Sequence, residues 1–193
     1  MKIYIRARIA NPRQRGRDRG LNRWWGSEVR YGRNQWSFFT SERPFEIISW
    51  DIRNINCDLR NNCVPVSFAE GNAFFGGNTP YEDIIRSTGY IDGVGVRHRN
   101  NPNIYRGIVS EHFDNSSLGI GALRDLGTVL DIKNSGGLIH VNMPHRGMRH
   151  ADNLRSIRFY HSGKVTMRLR IGSFRLPSND NRDWWFYLLR GVR

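Results

Sequence analysis

Lysine, cysteine and long apolar runs are scarce or missing in this sequence of 193 residues. Lysine occurs at three positions and cysteine at two. No stretch approaches the roughly 18 apolar residues that a membrane-spanning helix needs. Two cysteines are too few for a disulfide scaffold, and no second pair completes a zinc site. We therefore expect a chain without a membrane span, a retained secretion signal or a disulfide framework.

Motifs of the common catalytic and phosphate-binding sites are also missing. Neither Gly-x-Ser-x-Gly, nor a Walker loop, nor a dinucleotide-binding fingerprint occurs. Cys57 and Cys63 have no flanking motif of a thiol nucleophile, so two buried free thiols are the favoured interpretation. The sequence therefore predicts no enzyme and no cofactor.

Four of the six histidines fall late in the chain, at His140, His145, His150 and His161. Their spacing suits neither a helical pair nor a known metal-binding signature. His145 and His150 flank an arginine-rich segment whose positive field opposes a bound cation. We expect ordinary loop histidines and no metal site, with protonation near about pH 6 as the one property that could loosen an interface.

Arginine carries almost all of the positive charge, with 27 residues among the 30 basic ones. Residues 1–35 hold ten basic and two acidic side chains, residues 36–140 nine and twelve, and residues 141–193 eleven and three. The net charges are thus +8, −3 and +8. Two basic ends around an acidic middle favour a surface directed at a polyanion such as nucleic acid. The alternative is that the arginines form ion pairs within a larger assembly.

Arginines in turns and on strand faces are the predicted phosphate contacts, because the guanidinium fork binds phosphate through two hydrogen bonds. They are Arg13, Arg15, Arg17 and Arg19, followed by Arg146, Arg149, Arg168 and Arg170. Paired tryptophans stand close to arginines in two places. Packing or subunit contact is the favoured role for Trp24, Trp25, Trp184 and Trp185, and stacking on bases is the alternative.

The alternation of apolar and polar residues predicts strands at Lys2–Ile9 and Lys164–Ile171. Weaker strands are expected at Phe45–Ile52, Cys63–Phe68, Tyr90–Val96, Leu138–Met143, Ser156–Tyr160 and Trp184–Leu189. Helices are expected at Thr79–Arg86, with Thr79 as N-cap and Pro80 in the first helical position, and at Ser116–Leu126. No linker or repeat marks a boundary. We expect one all-β domain over residues 1–193, a sandwich or barrel with one or two short helices.

Three parts of the chain carry motifs that occur together in a known family. The strand Lys2–Ile9 leads into the turn Asn11-Pro12-Arg13-Gln14-Arg15-Gly16-Arg17. The segment Gly137–Pro144 is followed by Tyr160–Gly163 and the strand Lys164–Ile171. The segment Asn179–Leu189 is polar and then aromatic. Together these segments resemble the jelly-roll coat proteins of picorna-like viruses.

This resemblance implies a jelly-roll β-sandwich that acts as a structural subunit of a virus coat. Its partners would be copies of itself or related coat subunits, and genomic RNA bound non-specifically through the arginines. It would be found in the virion, after assembly in the host cytoplasm. The main alternative is an RNA-binding component of a ribosome-like ribonucleoprotein particle. A secreted polyanion- or carbohydrate-binding module that uses the sequon Asn115-Ser116-Ser117, and an enzyme, remain further alternatives.

Overall fold

The computed structural model describes residues 42–97, 101–177 and 183–191, together with the backbone of three early strands. These strands are β1 (Ile5–Ile9), β2 (Glu28–Tyr31) and β3 (Trp36–Thr40). They form an antiparallel sheet in the order β1-β3-β2. Strand β1 confirms the strand predicted at Lys2–Ile9 over its described part, residues 5–9. Arg13, Arg15, Arg17, Arg19, Trp24 and Trp25 lie outside the described residues.

The chain divides into two compact units. The smaller unit comprises Met1–Phe45 and Tyr160–Ser162. In it, the backbone N–H and the hydroxyl of Ser162 donate to the carboxylate of Glu42 at 2.7 and 2.8 Å. The larger unit comprises Glu46–Phe159 and Gly163–Arg193 and contains all the elements that follow. The single domain predicted over residues 1–193 stays a prediction.

Two antiparallel sheets of four strands each are described in the larger unit. The strands of the first are β4 (Glu46–Ser49), β8 (Ser156–Phe159), β9 (Val165–Leu169) and β10 (Gly172–Arg175), in the order β10-β9-β8-β4. Those of the second are β5 (Asp114–Leu118), β6 (Leu138–His145), β7 (Met148–Asn153) and β11 (Trp185–Arg190), in the order β5-β11-β6-β7. Five of the predicted strands are thereby confirmed: those expected at Phe45–Ile52, Leu138–Met143, Ser156–Tyr160, Lys164–Ile171 and Trp184–Leu189.

Five helices accompany these sheets in the described residues. They are α1 (Cys63–Phe74), α2 (Tyr81–Ser87), α3 (Pro102–His112), α4 (Ile120–Arg124) and α5 (Leu126–Asn134). None of the described helices is long and apolar enough to cross a membrane. The fold is therefore strand-rich but mixed, and the expectation of one or two short helices is too low.

The segment Cys63–Phe68, predicted to be a strand, is the first half of α1. This helix is buried on all sides from Val64 to Gly71, so it shows no amphipathic period that would distinguish it from a buried strand. Gly71 permits close packing, because a Cβ atom there would lie 3.0 Å from the ring of Phe113. The helix packs against β7 and α2.

Two further segments differ from the sequence-based expectation. The helix predicted at Ser116–Leu126 is instead β5 followed by the short α4, because Asn, Ser and Ser favour the pairing of β5 with β11 over a helix. The strand predicted at Tyr90–Val96 is a tight turn closed by a bridge between Ile91 and Gly95. Gly93 and Gly95 both have positive φ, which an extended strand does not allow.

Two helices that the sequence analysis does not predict, α3 and α5, begin with side-chain caps. The carbonyl of the Asn101 side chain accepts the N–H groups of Asn103 and Ile104 at 3.0 and 3.4 Å, and so caps α3. Asp125 caps α5 in the same way. Helix α2 confirms the helix expected at Thr79–Arg86, but Pro80 itself occupies the N-cap position.

Candidate active site

A cavity of about 300 Å³ opens where the start of α1 meets the β6–β7 hairpin. Its wall includes Cys63 from α1, Tyr105 from α3, Asn142 from β6, and Arg149 and His150 from β7. Because these side chains come from four different elements, they meet only in the folded chain. The cavity lies entirely within the larger unit.

Cys63 is the first residue of α1, the helix that packs against β7 at the edge of the second sheet. The groups that lower the pKa of its thiol are the His150 side chain and the backbone N–H groups of Ala151 and Val64. Burial raises the pKa of the thiol, but the bond to His150, its positive charge and the two N–H groups outweigh burial and leave that pKa below its ordinary value. The site therefore favours the thiolate, which is the nucleophilic form.

His150 and Asp152 stand two residues apart on β7 and so project on the same side of the strand. Nε2 of His150 lies 3.6 Å from Oδ2 of Asp152, which is an ion-pair distance. Burial lowers the pKa of His150, but Asp152 and Cys63 together raise it to about 9. Asp152 and Cys63 thus favour the protonated form of the imidazole.

Asp152 is rigidly held. Its side chain is 2 % exposed. Oδ1 accepts the N–H of Asn153 and Oδ2 accepts the N–H of Arg170, both at 2.8 Å. Because two backbone groups fix this carboxylate, it can in turn fix the orientation of the His150 ring.

A second buried histidine lies in a chain of hydrogen bonds beneath the cavity. The amide nitrogen of Asn153 donates to the carbonyl of Ser67 at 2.7 Å, so its Oδ1 faces Nδ1 of His140, at 2.9 Å. Nδ1 of His140 must therefore carry the proton, and Nε2 accepts the hydroxyl of Tyr105 at 2.5 Å. His140 is fully buried, and burial lowers its pKa to about 4. His140 is therefore neutral, and its two hydrogen bonds hold Tyr105 and Asn153 in place.

We expect His140 to make the protein unstable in acid. In the unfolded chain His140 binds a proton below its ordinary pKa of 6.5, whereas in the native state it stays neutral down to about pH 4. Stability should therefore fall between these values by up to about 3 kcal/mol. His150 does not offset this loss, because below pH 6.5 it is protonated in both states. Urea unfolding at several pH values should show a flatter pH dependence for His140→Gln, whereas the control His161→Gln should keep the wild-type slope. Equal slopes would contradict the assignment.

The same chain of hydrogen bonds extends to the rim of the cavity. Nε of Arg149 donates to Oδ1 of Asn142 at 2.5 Å, so the amide NH₂ group of Asn142 faces the other way, where it bonds Tyr105. The guanidinium of Arg149 stacks on Trp185, 3.5 Å from the ring centroid. It also donates to the backbone carbonyl of Asp183 at 2.8 Å. The orientation of the Asn142 amide, which lines the cavity, is thus fixed by contacts on both sides.

A buried ion pair holds the segment that precedes α1. Glu70 is 1 % exposed, and both its carboxylate oxygens accept Nη2 of Arg155, at 3.0 and 3.1 Å. Nη1 of Arg170 lies 3.8 Å from the same carboxylate. Arg155 also donates to the carbonyl of Ile52 at 2.9 Å, and Ile55 donates its N–H to Glu70 at 3.3 Å. The chain before Cys63 is thereby tied to α1 and to Arg155, which directly precedes β8.

The residues directly before Cys63 are tied to the turn at residues 91–95. The N–H of Arg60 and the hydroxyl of Tyr90 both donate to Oδ1 of Asp92, each at 2.9 Å. The amide of Asn61 donates to the carbonyl of Gly93 at 2.7 Å, and Asn61 itself has a positive φ of 56°. These contacts fix the entry into α1 and therefore the position of the thiol.

The predicted site residues within the described chain fall into three groups. Arg146, Arg149 and Arg170 line the cavity, whereas Arg168 is exposed on β9 outside it. Trp185 packs against Arg149 and Tyr105, and Trp184 stacks on Phe186 with 6.0 Å between ring centroids. The phosphate contacts and the subunit interfaces assigned to these residues stay predictions.

The expectations for the histidines and cysteines need correction. His140, His145 and His150 lie in strands rather than loops, because the β6–β7 hairpin continues through the arginine-rich segment. Cys57 and Cys63 are free and only half-buried. Within the described ranges, no group of three His, Cys, Asp or Glu side chains could hold a metal ion.

The sequence does not predict Cys63, His150 and Asp152 as a set. Two signals point toward them: a cysteine directly after Asn61-Asn62, at what proves to be a helix start, and the alternation of His150 and Asp152 in a hairpin strand. Comparison with protein-family models, curated proteins and solved structures finds no match to this chain.

Proposed function

We propose that this protein is a thiol-dependent acyl-transfer enzyme, most simply a hydrolase. Cys63 is the nucleophile, His150 the general acid and base, and Asp152 the group that orients His150. The observation that carries the proposal is that Cys63 and His150 line the same cavity, where His150 lowers the pKa of the thiol and lies 3.6 Å from the buried carboxylate of Asp152.

The chemistry follows from this arrangement. The thiolate of Cys63 attacks the carbonyl carbon of an ester, thioester or amide, and a sulfur–carbon bond forms. The bond to the leaving group breaks, and that group takes the proton of His150. Water then attacks the thioester while neutral His150 removes its proton. The carboxylic acid leaves, and the thiolate–imidazolium pair is restored.

Two donors are placed to stabilise the oxyanion that forms during each attack. The first backbone bond of α1 is that from Val66 to Asn62, so the N–H of Cys63 has no role in the helix. The positive end of the helix dipole reinforces this donor. The amide of Asn142 is the second donor, because Arg149 and Tyr105 fix its orientation.

A generic activated ester tests the proposal. With p-nitrophenyl acetate we expect a burst of about one nitrophenolate per chain, and mass spectrometry should locate the acetyl group on Cys63. Cys63→Ala should abolish the burst. Cys57→Ala is the matched control, because Cys57 is also a free, half-buried thiol but does not line the cavity, and it should keep the burst. Acetylation that persists in Cys63→Ala would refute the proposal.

The coat-subunit function, the jelly-roll topology and the binding of RNA remain proposals from the sequence. They are supported by the net charge of +13, by the two antiparallel sheets and by exposed arginines such as Arg168. The prediction that the chain is not an enzyme likewise stays a prediction, and the cavity supports the opposite proposal. The two functions are compatible in one chain, because Arg168 lies outside the cavity.

A further inference from the structure

The cavity that contains Cys63 is lined by positive charge. Three arginines contribute to its wall, Arg146, Arg149 and Arg170, and no aspartate or glutamate lines it among the described residues. The protonated His150 offsets the carboxylate of Asp152, so the thiolate form of Cys63 adds at most one net negative charge. These three side chains therefore do not balance the charge of the three arginines.

The arginines differ in how far the protein itself neutralises them. Arg170 shares the buried carboxylate of Glu70, 3.8 Å away. The hydrogen bonds of Arg149 go to uncharged acceptors, the side chain and carbonyl of Asn142 and the carbonyl of Asp183. The charged side chain of Asp183 acts on Arg149 only through space.

The hydrogen bonds of Arg149 use Nε and Nη2, so Nη1 has no partner within the described residues. The stacking on Trp185 keeps the guanidinium plane in place. Arg146 is exposed in the β6–β7 turn, with φ of 49°, and forms no ion pair with any residue in the described ranges. The guanidinium of Arg149 is thus held in place and that of Arg146 is exposed, and both lie at the cavity with N–H groups that have no partner among the described residues.

We infer that the substrate carries an oxyanion, a carboxylate or a phosphate, beside the bond that Cys63 attacks. Arg149 holds this group in a fixed position, and Arg146 attracts it from the rim. A positively charged substrate would be repelled, and a neutral one would leave both arginines without a ligand. This inference rests on the proposed function, because it places the oxyanion relative to the thiol of Cys63.

Alkylation of Cys63 by iodoacetate and by iodoacetamide tests the inference, because the two reagents differ in one negative charge. The ratio of their rate constants, with the product mapped to Cys63, should exceed the ratio measured for N-acetylcysteine thiolate. Arg146→Glu should lower the ratio about two- to fivefold, the range that Coulomb's law gives with and without salt screening for the reversal of one charge about one Debye length away. Arg146→Gln should lower it about half as far on a logarithmic scale.

Arg190→Glu is the matched control for the change of charge. Arg190 is exposed at the far end of β11 from Trp185, about 17 Å along the strand, which is well beyond the screening length at physiological salt. This variant should keep the wild-type ratio. An Arg190→Glu effect equal to that of Arg146→Glu would show that net charge alone sets the ratio, and would overturn the inference.

Competition by simple anions separates the two oxyanions. Stronger slowing of alkylation by inorganic phosphate than by acetate assigns a phosphate, and the reverse assigns a carboxylate. No slowing by either, or a wild-type ratio equal to that of N-acetylcysteine, contradicts the inference. If acetyl-Cys63 still forms from p-nitrophenyl acetate in that case, the proposed function stands. If no acetyl-Cys63 forms, the proposed function itself fails.

Discussion

Replacement of His150 by alanine is expected to lower kcat/KM for ester hydrolysis by about 10³-fold, within the range of roughly 10² to 10⁴ for loss of a general acid and base. Two effects combine in this loss. The leaving group no longer receives a proton, and the thiol of Cys63 loses the partner that most lowers its pKa. Steady-state hydrolysis of an alkyl ester such as ethyl acetate, whose alkoxide leaving group needs that proton, measures the change in the two proteins. The control His161→Ala alters a histidine of the smaller unit and should retain wild-type activity.

The pH dependence distinguishes this role from a structural one. In the wild type, kcat/KM should rise as Cys63 ionises, below its ordinary pKa, and fall as His150 loses its proton at about pH 9. The fall occurs because a neutral imidazole cannot protonate the leaving group. In His150→Ala the alkaline limb should vanish, and alkylation of Cys63 should begin at a higher pH. An unchanged profile with lower activity throughout would contradict the assignment.

Strands β6, β8, β9 and β11 could be predicted, because each is either buried on one face only or is a short apolar run bounded by turn residues. Strand β9 alternates buried and more exposed residues, and the prediction at Lys164–Ile171 follows from this period. Helix α1 could not be predicted in the same way, because it is buried all round. Its apolar, β-branched start fits a buried strand equally well. Long-range packing against β7 decides the outcome, and no local pattern contains that information.

The residues of the candidate site likewise fall into those that the sequence predicts and those that only the folded structure brings together. Composition and charge single out the arginines, and three of the four later ones, Arg146, Arg149 and Arg170, do line the cavity. Cys63 and His150 could not be paired from the sequence, since α1 and β7 are far apart in the chain and meet only through packing. The incorrect strand at Cys63–Phe68 also concealed that the cysteine begins a helix, which is the position where a thiol is activated.

Replacement of Arg155 by alanine is expected to lower the free energy of unfolding by about 3–5 kcal/mol, because it leaves the carboxylate of Glu70 buried without its main partner. Burial raises the pKa of Glu70 even with Arg155 and Arg170 beside it. Loss of Arg155 raises that pKa further, since an opposing charge is removed. The destabilisation should therefore be largest at neutral pH and shrink as the pH falls and Glu70 becomes protonated. Urea unfolding at pH 7 and at about pH 5 measures both effects.

An exposed pair and a double variant show whether burial is the cause. Arg86 and Asp83 form an ion pair at 3.3 Å on α2, with side chains 80 % and 51 % exposed, so Arg86→Ala should cost at most about 1 kcal/mol. The double variant Glu70→Leu with Arg155→Met removes both charges and should be markedly more stable than Arg155→Ala. If instead the double variant is as unstable as Arg155→Ala, the loss comes from missing packing and not from an unpaired carboxylate. Because Glu70 and Arg155 hold the chain before Cys63 through Ile55 and Ile52, Arg155→Ala should also reduce the acetylation burst at pH 7.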